Sequence, residues 1–264
     1  MYLVRYLKLY KVFILQFFKS IMQSKLDFII GFMGFLLNQM SGIVFLMLIF
    51  EKIPMLNNWS LKQLIFIYGF SMLPKGIDHL LTDNLWILSW KMVLNGEVDR
   101  YILRPINIFF QIICEKLQPD AIGELIVGIV IVCFSINSGV INFSFITLIF
   151  MLVSIVAGAI IYTSLKLFFA SLAFWFKESQ SILQIIYGLS DYSKYPLEIY
   201  PKVIRIIISV IIPFALTSFL PASYFINEVG IIFIILECII ALIFFKMAYY
   251  MFNKGLDIYE SSGN

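Results

Sequence analysis

Apolar positions run through this chain in long stretches, and the few polar breaks between them set its elements. Phe28 to Phe50 is 23 residues without a charge, enough for one helical crossing of a membrane, which needs about 20. Gln63 to Pro74 is a shorter uncharged run. Ser60 and Gln63 have the spacing of a capping box and start a helix at Leu61. To cross, that helix must continue through Lys75, Asp78 and His79. Leu125 to Leu165 is 41 uncharged residues, which the polar stretch Ser135–Asn142 divides into two spans. Ile206 to Ile226 is again uncharged, but Pro213 and Pro221 interrupt it and remove backbone donors. The pattern predicts a pair of short helices over 202–226 that dip into the membrane and return, which needs cover from protein or water. Ile231 to Phe245 forms the core of a last span, with Glu237 inside it.

The first 25 residues follow a different rhythm. Apolar residues fall at 2, 3, 6, 7, 10, 13, 14, 17, 18 and 21, along one face of a helix. Arg5, Lys8 and Lys19 lie opposite, and the segment has five cations and no acid. A basic amphipathic helix of this kind lies in the membrane interface, on the cytoplasmic side by the positive-inside rule. A secretory leader would instead carry a continuous uncharged run.

Composition agrees with these runs: 61% hydrophobic residues, 13% charged and a mean hydropathy of +0.96, against about 25% charged in soluble domains. The expected fold is an all-α polytopic membrane protein. It has an interfacial N-terminal helix, six transmembrane helices and a re-entrant helical pair before the last span. The whole of 1–264 forms one transmembrane domain. The net charge of +3 includes no basic surface domain, so nucleic acid is not an expected partner. Cys114, Cys133 and Cys238 lie in or beside apolar runs with no metal or disulfide spacing. A single histidine, His79, argues against histidine-based catalysis and multi-histidine metal sites.

Several polar residues stand out against this background. Lys75 and Asp78 are three apart and can pair on one helix face. At about 1.5 Å per residue from Leu61, Lys75 lies about 21 Å down its span. It either snorkels to the cytoplasmic surface or forms an intramembrane ionisable site. Lys166 and Lys177 follow the fourth span and read as inside positive residues. Ser181, Gln184, Tyr187 and Asp191 recur every three or four residues, a polar stripe facing protein or water. Tyr195 to Pro201, with Pro196 between, reads as a rigid extended external segment. Lone acids such as Glu124 and Glu237 are costly in a membrane and are paired or functional.

The most charged internal stretch is Trp86 to Pro105. Lys91, Glu97, Asp99, Arg100 and Arg104 fall within fourteen positions there, beside Trp86, Trp90, Leu94, Tyr101 and Leu103. It reads as a cytoplasmic docking element for a soluble partner; the alternative is an ordinary positive-inside loop.

Together these pieces resemble the membrane permease subunits of type-2 (exporter) ABC transporters, most closely the bacterial branch of small stand-alone permeases. The residues carrying the resemblance are Asn58–Ser60 with Leu64–Gly69, Gly96–Pro105, Phe174–Trp175, Tyr195–Pro201, Ile212–Ala215, Pro221–Ala222 and Tyr259–Gly263. The resemblance implies a coupling loop at 84–105 and an external or re-entrant segment at 195–226. Both termini would be cytoplasmic, in a bacterial plasma membrane. Two permease chains, identical or related, would pair within membrane lipid, and each would dock on a separate ABC ATPase subunit. ATP and Mg would bind that partner and no cofactor this chain; no Gly-x-x-x-x-Gly-Lys-Ser/Thr loop occurs in it.

The implied coupling residues are Gly96, Glu97, Asp99, Arg100, Leu103, Arg104 and Pro105. Gly96 would supply a turn, Asp99 and Arg100 would face the ATPase, and Pro105 would open the next helix. Pathway or gate candidates are Ser181, Gln184, Asp191, Tyr195, Pro196, Pro213 and Pro221. A secondary transporter coupled through intramembrane acids, or a non-transporting assembly subunit, are the alternatives. Scattered acids do not form the clustered constellation an enzyme would need.

Overall fold

The computed structural model describes residues 25–227 and 230–261 and a few positions between 9 and 19. Most of the interfacial helix expected over 1–25 lies outside the described residues; the described positions between 9 and 19 are helical. The described chain is all-α. Helix α1 (Lys25–Lys52) leads to a tight turn in which Leu56 and Trp59 exchange backbone hydrogen bonds of 3.0 and 2.9 Å. Asn57 and Asn58 hold this turn with φ of 48° and 68°, left-handed values that asparagine tolerates better than most residues. Ser60 then caps α2 (Leu61–Thr82) as the spacing predicts: its hydroxyl accepts from the Gln63 amide, and the Gln63 side chain accepts from the Ser60 amide at 2.9 Å.

Helix α2 is the axis of the molecule. Leu64, Phe66, Ile67, Tyr68 and Phe70 on successive faces are all buried, as expected of a helix covered on every side. Helices α3 (Leu85–Ile87), α4 (Asp99–Ile102) and α5 (Ile108–Glu115) belong to the loop that follows it. Next come α6 (Ala121–Asn137), α7 (Phe145–Ser171) and its short continuation α8 (Ala173–Phe176). The turn between α6 and α7 lies where the polar residues predict it, with Gly139 at φ +71°.

Three stretches, Ile29–Lys52, Phe145–Phe176 and Ile232–Ile258, are long and apolar enough to cross a membrane. The last is α12 (Ile232–Ile258), packed along α7. Between them the chain is broken into shorter pieces. Helix α9 (Gln180–Gly188) runs into 3₁₀ turns at Leu189–Lys194 and Leu197–Ile199, so the extended reading of Tyr195–Pro201 holds at Tyr195–Pro196 and Tyr200–Pro201 and fails between them. Residues 202–227 form α10 (Lys202–Ile206), a π turn at Ile207–Ile211, a break at Ile212–Pro213, a 3₁₀ turn at Phe214–Thr217 and α11 (Phe219–Asn227). Pro213 sits in the break. Pro221 does not interrupt a helix. It is the third residue of α11, where its missing N–H would have had no intrahelical partner.

Small residues let the long helices approach α2. A Cβ built on Gly128 of α6 would lie 2.8 Å from the Leu73 side chain and 3.0 Å from the Gly69 carbonyl oxygen; one on Gly158 of α7 would lie 2.9 Å from Pro74. In a membrane, where water drives no association between helices, such close backbone approach supplies the packing energy. Gly128→Val should therefore push α6 off α2 and cost about 1–3 kcal/mol. Thermal unfolding of the detergent-solubilised chain should show a clear fall in Tm, while Gly34→Val, which faces open space, should leave Tm nearly unchanged.

Candidate functional site

Tyr68, Ser71, Lys75, His79 and Thr82 recur at three- and four-residue steps along α2 and so form one stripe down the helix. Around this stripe the fold collects a group of buried polar side chains. Asp78 is the centre. Its carboxylate takes the Lys166 ammonium of α7 at 2.7 Å, the Thr82 and Thr163 hydroxyls at 2.6 and 2.9 Å, and the Tyr187 hydroxyl of α9 at 2.7 Å. The Asp78 and Lys166 side chains are both 0% exposed. Lys166 reaches Asp83 at 3.3 Å and lies 5.2 Å from the centre of the Tyr187 ring. A buried ion pair is retained only when the remaining donors and acceptors are also met, and four donors on one carboxylate meet that condition.

Two smaller clusters adjoin it. Lys75 donates to Asp191 at 3.1 Å, and Lys194 reaches the same oxygen at 3.1 Å. His79 Nδ1 lies 2.9 Å from Glu124 Oε2, and its ring stacks on Tyr187 at 5.6 Å. A cavity of about 300 Å³ opens between these groups, lined also by Asn38 and Gln39 of α1 and Tyr162 of α7. A second, of about 410 Å³, continues past Lys75 and His79 to Asp83, Trp86 and Gln118. Together they follow α2 from Tyr68 to Asp83, about 22 Å at 1.5 Å per residue.

The sequence pointed to some of these partners and missed others. Lys75 and Asp78 do not pair with each other; each reaches a different element, because their side chains diverge around the helix. Lys75 is bridged to Asp191 and faces the cavity instead of snorkelling to a surface. Lys166 is no loop cation. It lies within α7 and is fully buried against Asp78. No signal in a single sequence links two residues so far apart. The polar stripe on 181–191 is divided by the structure. Tyr187 and Asp191 face the polar groups, whereas Ser181 and Gln184 are exposed on the other side of α9. Glu237 on α12 is buried and accepts from Ser154 of α7 at 2.6 Å.

Of the remaining gate candidates, Pro196 and Pro213 are buried and Tyr195 is half-buried beside the main core. The Ser218 hydroxyl donates to the Ser193 carbonyl at 2.7 Å, tying the broken 202–227 segment to the turn that carries Asp191.

The charged stretch after α2 forms a compact hairpin of short helical turns. Gly96, at φ +70°, makes the reversal and serves the turn as expected. Leu88, Met92, Val98 and Tyr101 plug into a core with Leu167 and Ala170 of α7 and Phe252 of α12. Arg100 binds Glu115 at 2.9 Å and the Tyr101 hydroxyl at 2.7 Å, with Glu97 at 3.8 Å. Tyr101 in turn donates to Glu115. Burial opposes the Arg100 charge, but Tyr101 and Glu115 outweigh it and raise its pKa. Burial and then the bond to Glu115 raise the Tyr101 phenol above its ordinary value. Asp99 accepts from Ser261, and Tyr259 packs on Phe174 with its phenol pushed up to about 12, first by burial and then by Asp99. Leu94, Ile102, Leu103, Arg104 and Pro105 are exposed, Leu103 at 84%. Pro105 does not open the next helix: α5 starts at Ile108, capped by Asn107, whose side chain accepts from the Phe110 amide at 3.0 Å.

A family model of ABC-2 family transporter proteins matches residues 36–263. The chain belongs to that family. No curated protein matches the sequence. Proteins of the ABC-2 transporter family are non-catalytic permease components of ABC transporters. In this ABC-2 permease the Asp78–Lys166 pair is fully buried and costly to break. Lys166→Met should leave an uncompensated buried carboxylate and cost about 3–5 kcal/mol. Combining it with Asp78→Asn should recover most of that loss, since replacing both charges removes the penalty. A double-mutant cycle on thermal unfolding in detergent measures both.

Proposed function

We propose that this chain is the membrane half-channel of an ATP-driven exporter, with the loop at 84–105 as the element that docks on a separate ABC ATPase subunit. The family match supports the transporter reading, and one observation carries the docking reading. The loop is anchored on its inner side by Met92, Val98 and Tyr101, yet presents Leu94, Ile102 and Leu103 outward. A folded, charged hairpin that exposes several apolar side chains suits a protein partner.

In this reading α1, α2, α6, α7, α9 with its 3₁₀ extension, and α12 are the six spans. Helices α10 and α11 dip in from the outside, and 195–226 acts as a gate around Pro213. Both termini are cytoplasmic, in a bacterial plasma membrane, and a second permease chain, identical or related, completes the channel. ATP and Mg act on the ATPase. Asp99 and Arg100 then position the docking tip, because their partners Ser261, Glu97 and Glu115 lie within this chain, and Leu103 with Arg104 meets the ATPase.

The test is co-purification of the permease with its ATPase from membranes, followed by transport-linked ATP hydrolysis. Leu103→Asp should leave insertion and Tm unchanged, because the side chain is exposed. Loss of an interface anchor costs about 2 kcal/mol or more, so association should weaken at least about tenfold. Full association and coupled turnover in Leu103→Asp would remove the docking role.

A further inference from the structure

The smaller of the two cavities along α2 has the makings of a ligand site, and its charges specify the ligand. At one end Lys75 and Lys194 share a single counter-ion, Asp191, each at 3.1 Å from the same oxygen. An ammonium has three donors. Among the described residues each of these two gives one to Asp191; Lys75 also feels Tyr162 and Glu124 and lies 5.5 Å from the centre of the Tyr187 ring, and Lys194 lies 5.6 Å from that of Tyr68. Several donors are therefore free for a further anion. Next to Asp191, Ser190 lines the same cavity with 2% of its surface exposed, and its buried hydroxyl has no hydrogen-bond partner. A buried hydroxyl without a partner is costly and marks a place for a polar group the protein does not itself supply.

At the other end the Glu124 carboxylate lines the cavity beside His79. Lys75 and His79 are four residues apart on α2, about 6 Å along its axis, so the cationic and acidic ends lie within the reach of one small headgroup. A purely anionic group would face Glu124, and a purely cationic one would face two ammoniums. Formal charge across the cavity balances, two lysines against Asp191 and Glu124.

We propose that this cavity binds the zwitterionic headgroup of an amphiphilic substrate. Its anionic part lies against Lys75, Lys194 and Ser190, its cationic part against Glu124, and its apolar body lies along α1 beside Phe35. This rests on the exporter reading for the word substrate; the site itself stands on the geometry. The volume of about 300 Å³ holds a small polar headgroup, or roughly ten waters at about 30 Å³ each, and the two occupants separate by charge selectivity.

The experiment uses the purified full chain in uncharged maltoside micelles, without ATPase, and three labelled probes that share a twelve-carbon tail: dodecylphosphocholine, dodecyl phosphate and dodecyltrimethylammonium. The zwitterion should bind at least tenfold tighter than either singly charged probe. Lys194→Gln, at a partly exposed position, should weaken the zwitterion and the phosphate about tenfold and leave the ammonium unchanged. Glu124→Gln should weaken the zwitterion and the ammonium and spare the phosphate. Equal binding of all three probes by the unaltered chain, or an order that Lys194→Gln does not change, overturns the site. Because no ATPase is present, charge-selective binding in a chain that fails to associate with an ATPase would remove the exporter reading alone. Charge-blind binding in a chain that couples normally would remove this site alone.

Discussion

The buried contact between Asp78 and Lys166 is the constraint on which the rest of the fold depends. Two charges with no solvent exposure are tolerable only together, and only while Thr82, Thr163 and Tyr187 complete the carboxylate's hydrogen bonds. The pair therefore fixes α2 against α7 in both rotation and depth, and Tyr187 brings α9 to the same point. Close approach at Gly128 and Gly158 suits that placement, because α2 can reach its partners only where α6 and α7 carry no side chain in the way. The second polar layer, Lys75 with Asp191 and His79 with Glu124, then lies on the stripe of α2 that the Asp78 contact leaves facing the cavities.

This arrangement gives the proposed coupling a short mechanical route. Leu167 and Ala170 of α7 belong to the core that holds the 84–105 hairpin, and Lys166 is the residue before Leu167. A displacement of the hairpin by an ATPase would act on α7 within one turn of the buried pair. The Ser218–Ser193 bond connects the broken 202–227 segment to the turn that bears Asp191 and Lys194. Movement at the inner end and opening at the other end would then share one polar layer. An ion pair with discrete partners is suited to such switching, since packed interiors move between alternatives more readily than they deform.

Much of the fold was legible because membrane helices announce themselves by local composition. The uncharged runs placed α1, α7 and α12, the Ser60–Gln63 spacing placed the start of α2, and Ser135–Asn142 placed the turn between α6 and α7. Pro213 marked the break in 202–227, whereas Pro221 misled, because the effect of proline depends on whether it falls in the first turn of a helix or inside it. The site was harder to read. Lys75, Glu124 and Asp191 stood out as charges in apolar surroundings, but their partners were set by tertiary contacts. Lys166 looked like a cation following a span, since the run before it is long enough to cross, and only the continuation of α7 past it shows otherwise. Arg100 looked like an outward docking charge because charge in a loop suggests a partner outside the chain, and Glu115 lies too far along the sequence to be assigned to it.

Whether the groups along α2 line a switched pathway is tested most directly by water access to Ser71, which lies on the cavity wall. In a chain carrying Ser71→Cys with Cys114, Cys133 and Cys238 replaced, membrane-impermeant thiol reagents are applied separately to each face of vesicles that contain the ATPase. The account predicts labelling from one face without nucleotide and from the opposite face when ATP is bound without hydrolysis. Labelling whose side and rate are the same with and without ATP would contradict it.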